Sequence, residues 1–165
     1  MDEPTFQTFY QKTAPGLRSY IRLMCNDAAL ADDFLQESFY RFLRSAPAAL
    51  NDFQMKSYVY KTASSLIADH WRAQRHEQNW REKALVSHTH YHNPNIGHDV
   101  MRCFHELNPQ QQALLWLAYV EGFDHREISA ILGVKSTSVR VLLIRARKKL
   151  SSVLAKKGLT EEEGY

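Results

Sequence analysis

The 165-residue sequence is short of cysteine, glycine and proline, with two, six and five of each. Cys25 and Cys103 lie far apart, which excludes a disulfide framework and a CxxC metal or redox pair and makes a reducing compartment the simple expectation. So few glycines and prolines exclude collagen-like and low-complexity chains. No apolar run reaches the roughly 18 residues of a membrane-spanning helix. Met1-Asp2-Glu3-Pro4 also lacks the basic stretch and apolar segment of a secretory signal. A soluble, cytoplasmic protein is expected. Nucleophile elbow, HExxH, Walker loop and GxGxxG are all missing, so neither catalysis nor a cofactor is expected.

The hydrophobic share is 44% and the charged share 24%, a globular composition, and the length fits one domain or two small ones. Residues 5–75 read as consecutive helices. Phe6, Phe9, Tyr10, Leu17, Ile21 and Met24 recur at helical spacing, and Pro15-Gly16 predicts a kink or break between turns. A second helix is expected to start at Asn26-Asp27, with a stripe of Leu30, Ala31, Phe34, Leu35, Phe39, Phe42 and Leu43, and to end at Ser45-Ala46-Pro47. The third segment, about 53–75, turns Val59, Ala63, Leu66, Ile67 and His70 inward and Tyr58, Lys61, Ser65, Asp69 and Arg72 outward.

Periodicity then fades over residues 76–99, which read as a linker. His88, His90, His92 and His98 fall there; clustered imidazoles suit a metal, but alternating spacing in a linker favours a solvated segment, and no metal site is assigned. Order returns at Val100–Leu107. Asn108-Pro109 reads as an N-cap followed by proline at the first helical position, and Gly122 as the end of that helix. Asp124 with Glu127 fits a capping box.

Residues 126–145 carry the sharpest pattern. Ile128, Ile131, Leu132, Val134, Val139 and Leu142 point inward around a small Ser129 and a turn at Gly133, the spacing of a helix-turn-helix. Every charged residue over 135–157 is basic: Lys135, Arg140, Arg145, Arg147, Lys148, Lys149, Lys156 and Lys157. An ordinary helical hairpin would not need that asymmetry, so DNA binding is expected, with arginines early in the second helix reaching guanine edges and later ones reaching phosphates.

Three stretches resemble the bacterial sigma-70 family in its smallest, extracytoplasmic-function form. Ala31-Asp32-Asp33-Phe34-Leu35-Gln36-Glu37-Ser38-Phe39-Tyr40-Arg41 is similar to the family's polymerase-gripping segment. Lys56-Ser57-Tyr58-Val59-Tyr60-Lys61-Thr62-Ala63 with Ala68-Asp69-His70-Trp71-Arg72 is similar to the segment that melts and reads the minus-ten element. Leu107-Asn108-Pro109 through Phe123 and on to Leu150 resembles the domain that reads the minus-thirty-five element.

The resemblance implies an all-α protein of two small domains, 1–76 and 100–158, on a flexible linker, 77–99, with an acidic tail, 159–165. Its implied partners are core RNA polymerase, promoter DNA and an anti-sigma factor. For polymerase it implies Asp33, Gln36, Glu37, Tyr40, Arg41 and Arg44. For the minus-ten element it implies Lys56, Tyr58, Tyr60, Lys61, Ser65, Asp69, Arg72 and Arg75. Lysines and aromatics suit a melted strand, since stacking supplies about 1–3 kcal/mol per base; core packing is the alternative for each tyrosine, and Trp71 is assigned to the core. For the minus-thirty-five element it implies Lys135, Ser136, Thr137, Ser138, Arg140, Val141, Ile144, Arg145, Arg147 and Lys148.

The sequence departs from the family at Ser65, Lys135, Leu142 and Ile144. With Lys135 where Ser or Thr is usual, capping is expected to shift to Ser136. Leu142 and Ile144 make the second helix more apolar. A dimeric helix-turn-helix regulator with a helical ligand- or partner-binding N-terminal half is the alternative reading.

Overall fold

The apolar repeat from Phe6 to Met24 forms one unbroken helix, α1 (Glu3–Cys25), burying Phe9, Leu17, Tyr20, Ile21 and Met24. The break expected at Pro15-Gly16 does not occur. A proline inside a helix removes one N–H and crowds the carbonyl four residues back. Pro15, however, lies on the exposed side, where the Gln11 carbonyl can turn to water. Asn26 ends α1 in the left-handed conformation at φ 53°. Asp27 then caps α2 (Ala28–Ser45) by accepting a hydrogen bond from Leu30 N at 3.0 Å.

Leu35, Phe39 and Phe42 form the buried stripe of α2. Leu43, expected beside them, is 58% exposed, because one residue past Phe42 turns about 100° around the helix. Arg18 Nε donates to Asp32 Oδ1 at 2.6 Å, tying α1 to α2 and holding the Asp32 carboxyl below its ordinary value. Asn51 and Gln54 cap α3 (Asp52–Arg81) reciprocally, each accepting from the other's backbone N–H. Val59, Ala63 and Ile67 are buried, whereas His70 is half-buried with its ring edge on Phe34.

The computed structural model describes residues 1–81 and 96–159, and every regular element among them is helical. The second bundle begins at α4 (Ile96–His105), so both margins of the expected linker are helical. His88, His90 and His92 and the tail from residue 160 lie outside the described residues. Asn108 and Gln111 form a capping box on α5 (Pro109–Leu115). A π-helical turn, Trp116–Val120, comes directly after it, closed by Glu121 N donating to Trp116 O at 3.1 Å.

Asp124 and Glu127 form the expected capping box on α6 (His125–Leu132), and Gly133, at φ +66°, makes the turn into α7 (Ser136–Lys156). Ser129 is more than small, since its hydroxyl donates to Val134 O at 2.6 Å and fixes that turn. Lys135 occupies the N-cap of α7 without a side-chain hydrogen bond, and Ser136 is already the first helical residue, so capping does not shift to it. Val139, Leu143, Ala146 and Val153 bury the inner side of α7, with Leu142 half-buried against them.

The two bundles share one continuous core. α3 packs along α6 and α1 meets α5, so Tyr60 and Ile67 of the first bundle join Phe123 and Ile131 of the second in a single buried cluster.

Candidate nucleic-acid and partner-binding faces

The first face is the polar side of α2. Helical spacing brings Asp33, Gln36, Tyr40 and Arg44 onto one exposed strip, with Glu37 half-buried beside it. Arg41 Nε donates to Glu37 Oε1 at 2.6 Å. Arg44 Nη1 donates to the Tyr40 hydroxyl at 3.2 Å, and its guanidinium lies 5.5 Å from the Tyr40 ring centre. Leu43 borders this strip; it went unrecognised because its spacing reads equally well as core.

The second face belongs to α3. Lys61, Ser65, Asp69, Arg72 and Arg75 are exposed, and Arg72 pairs with Asp69 at 3.0 Å. Lys61, Ser65, Arg72 and Arg75 look into a cleft of about 620 Å³ whose far wall includes Asn108 and Gly133 of the second bundle. Trp71, half-buried, lines the same cleft, and its indole N–H is buried without a hydrogen-bond partner among the described residues.

The tyrosines stand elsewhere. Tyr58 is half-buried with its ring edge on Phe42 at 5.6 Å. Tyr60, expected to meet the melted strand, is 0% exposed, wedged between Tyr20 at 5.5 Å and Phe123 at 5.3 Å. No base can reach it in this arrangement. Burial, and then the neighbouring Glu121 carboxylate, push the Tyr60 phenol far above its ordinary pKa, so it stays neutral.

Lys56 is engaged too, its Nζ 3.0 Å from Glu121 Oε2 and 5.0 Å from the Phe123 ring centre. Glu121 also accepts from Trp116 Nε1 at 3.3 Å, and the Phe123 ring stands edge-on to Phe53 at 5.8 Å. Close approach is possible because Gly16 faces this point of α1: a Cβ there would lie 3.1 Å from both Glu121 Oε1 and the Tyr60 hydroxyl. Glu121, Phe123 and Phe53 escaped the sequence reading, since no periodicity reports which residues of one bundle meet the other.

The third face is the outer side of α7. Lys135, Ser136, Thr137, Arg140, Val141, Arg145, Arg147 and Lys148 are exposed, with Ser138 and Ile144 half-buried among them. The helix carries no acidic residue, so every charge it adds to the face is positive.

A helix-turn-helix whose second helix turns outward a side on which every charge is basic, joined to a helical bundle with its own polar strip, is the arrangement of a DNA-binding protein. Residues 9–77 match the family description Sigma-70 region 2, and residues 98–150 match Sigma-70, region 4. The chain belongs to the sigma-70 family, in its extracytoplasmic-function group.

Among relatives, it is 24% identical over 157 residues to RNA polymerase sigma factor CarQ of Myxococcus xanthus, covering 92% of this chain and 90% of that one. It is 23% identical over 164 residues to ECF RNA polymerase sigma factor SigM of Bacillus subtilis, covering 96% and 99%. Among solved structures, the fold is similar to the sigma factor RpoE in complex with the anti-sigma factor NepR from Bartonella quintana, with a TM-score of 0.74, 18% identity, and 92% and 97% of the two chains covered. It is also similar to CnrH in complex with the cytosolic domain of CnrY, at TM-score 0.67, 18% identity, and 94% and 90% coverage. No helix among the described residues is long and apolar enough to cross a membrane.

Proposed function

We propose that this sigma factor binds core RNA polymerase through Asp33, Gln36, Glu37, Tyr40, Arg41 and Arg44 of α2 and directs it to a bipartite promoter. α7 reads the upstream, minus-thirty-five element. Lys56, Lys61, Ser65, Asp69, Arg72 and Arg75 of α3 meet the minus-ten element as the strands separate. The protein makes and breaks no bonds; polymerase supplies the chemistry. An anti-sigma protein covering these faces holds it inactive, a reading supported by the complexes in which similar folds have been solved.

The observation that carries the reading is the outer side of α7. Arg140, Val141, Arg145 and Lys148 recur there at helical spacing, opposite a buried side of Val139, Leu143 and Ala146. One side is thereby committed to the fold and the other left to a polyanion.

Run-off transcription with purified core polymerase and genomic promoter fragments tests it: transcripts that start only when this protein is added are expected, and their absence overturns the reading. DNA binding by a dimer without polymerase would favour the helix-turn-helix regulator instead. Replacing Arg140 and Arg145 together by alanine is expected to weaken holoenzyme binding to the upstream element about ten- to a hundredfold. The same change lowers the slope of log affinity against log salt by about two. Anisotropy titrations over a series of KCl concentrations measure both, and an unchanged slope removes these arginines from the phosphate contacts.

A further inference from the structure

We propose that Glu121 and Phe123 stand in for a nucleotide of the melted strand, so that the closed chain blocks the Phe53–Lys56–Tyr60 end of its own promoter-melting face until core polymerase separates the bundles; this rests on the minus-ten role assigned above to α3. A surface that grips single-stranded DNA needs a cation for the phosphate and aromatic rings for the base. Phe53, Lys56 and Tyr60 supply that set at i, i+3 and i+7 on one side of α3. The loop from the second bundle fills it in kind. The Glu121 carboxylate takes the phosphate's place on Lys56, and the Phe123 ring takes the base's place against Tyr60 and Phe53.

Several features aim this plug. The π-helical turn adds one residue to the last turn before the loop, rotating the loop by about 100° relative to a continuing α-helix. Trp116 orients the carboxylate through its indole N–H, and Gly122, at φ +72°, reverses the chain between the two plug residues. Gly16 leaves room beside α1 for Glu121, whose Oε1 would lie 3.1 Å from a Cβ at that position. The ion pair is half-buried, with 30% and 10% of the Lys56 and Glu121 side chains exposed, so removing either charge strands the other in a poor environment.

The two ligand faces of the first bundle are thus treated differently. Tyr40 and Arg44 are open in the closed chain, while Tyr60 is sealed and Lys56 is neutralised. Polymerase can dock first; a melted strand cannot enter between Lys56 and Tyr60.

A water-soluble carbodiimide couples an amine to a carboxylate only in contact. In the free full-length protein it is expected to join Lys56 to Glu121, detected by mass spectrometry as a peptide pair lighter by one water. Adding core polymerase is expected to reduce that product at least about tenfold. Glu121→Lys, which sets two cations against each other, is expected to raise the radius of gyration in small-angle scattering. It should also tighten binding of a fluorescein-labelled, mixed-sequence single-stranded DNA about tenfold, with unchanged circular dichroism. Glu121→Gln, which adds no positive charge, shifts both readouts in the same direction, and Glu3→Lys, which changes charge away from the plug, shifts neither.

Absence of the cross-link in the free chain overturns the proposal, as do wild-type compactness and DNA affinity in both Glu121 variants. The function itself is judged separately. Wild-type transcripts with core polymerase sustain it even if the plug fails, and no transcript defeats it whatever the cross-link shows.

Discussion

Replacing Tyr40 and Arg44 together by alanine weakens binding to core RNA polymerase about a hundredfold or more and leaves the melting temperature unchanged. Tyr40 is 53% exposed and Arg44 is also on the surface, so neither supports the core. Tyrosine and arginine are the residue types that most often anchor an interface, and truncating such an anchor typically costs about 2 kcal/mol or more. A hundredfold loss corresponds to roughly 2.7 kcal/mol, which lies within reach of truncating two coupled anchors. The pair is also pre-assembled, with the guanidinium on the ring and bonded to its hydroxyl, so little side-chain freedom remains to be lost on docking. Leu43, exposed alongside, offers the apolar patch that a polar strip alone would lack. Fluorescence titration against core polymerase measures the effect, and wild-type affinity in the double variant moves the docking face elsewhere.

Phe42→Ala has the opposite signature. Its side chain is 2% exposed and meets the rings of Phe9 at 5.2 Å and Tyr58 at 5.6 Å. Truncating a buried phenylalanine costs about 3–5 kcal/mol through lost burial and the cavity left behind. Set against a total stability of roughly 5–15 kcal/mol, that is a large share. Urea denaturation followed by circular dichroism is expected to show a midpoint shifted well down at 25 °C with polymerase affinity falling only as the folded fraction falls. A shift below about 1 kcal/mol would mean that Tyr58 and Phe9 collapse into the space.

How far the sequence could be read depended on the range over which each feature is determined. Asp124 with Glu127, and Asn108 before Pro109, are signals within a single turn, and both became capping boxes. The basic side of α7 is likewise a property of one helix. Pro15 misled because its conformational cost depends on which side of α1 it occupies, and that is fixed by the packing of Leu17 and Ile21. Tyr60 is the instructive case. On α3 alone it is an aromatic beside lysines, which suits a melted strand; contact with Phe123, 63 positions later, seals it. Pairings across such a distance leave no trace in local periodicity.

Gly16 sets two physical demands in opposition at one position. In a helix interior, alanine is favoured over glycine by about 1 kcal/mol, a gain that α1 forgoes at this position. The same methyl group would press on Glu121 and the Tyr60 hydroxyl. The helical gain from alanine would therefore be set against crowding at the contact between the two bundles. Under the plug proposed above, the length of one side chain at residue 16 would set how firmly the loop of the second bundle holds against α3.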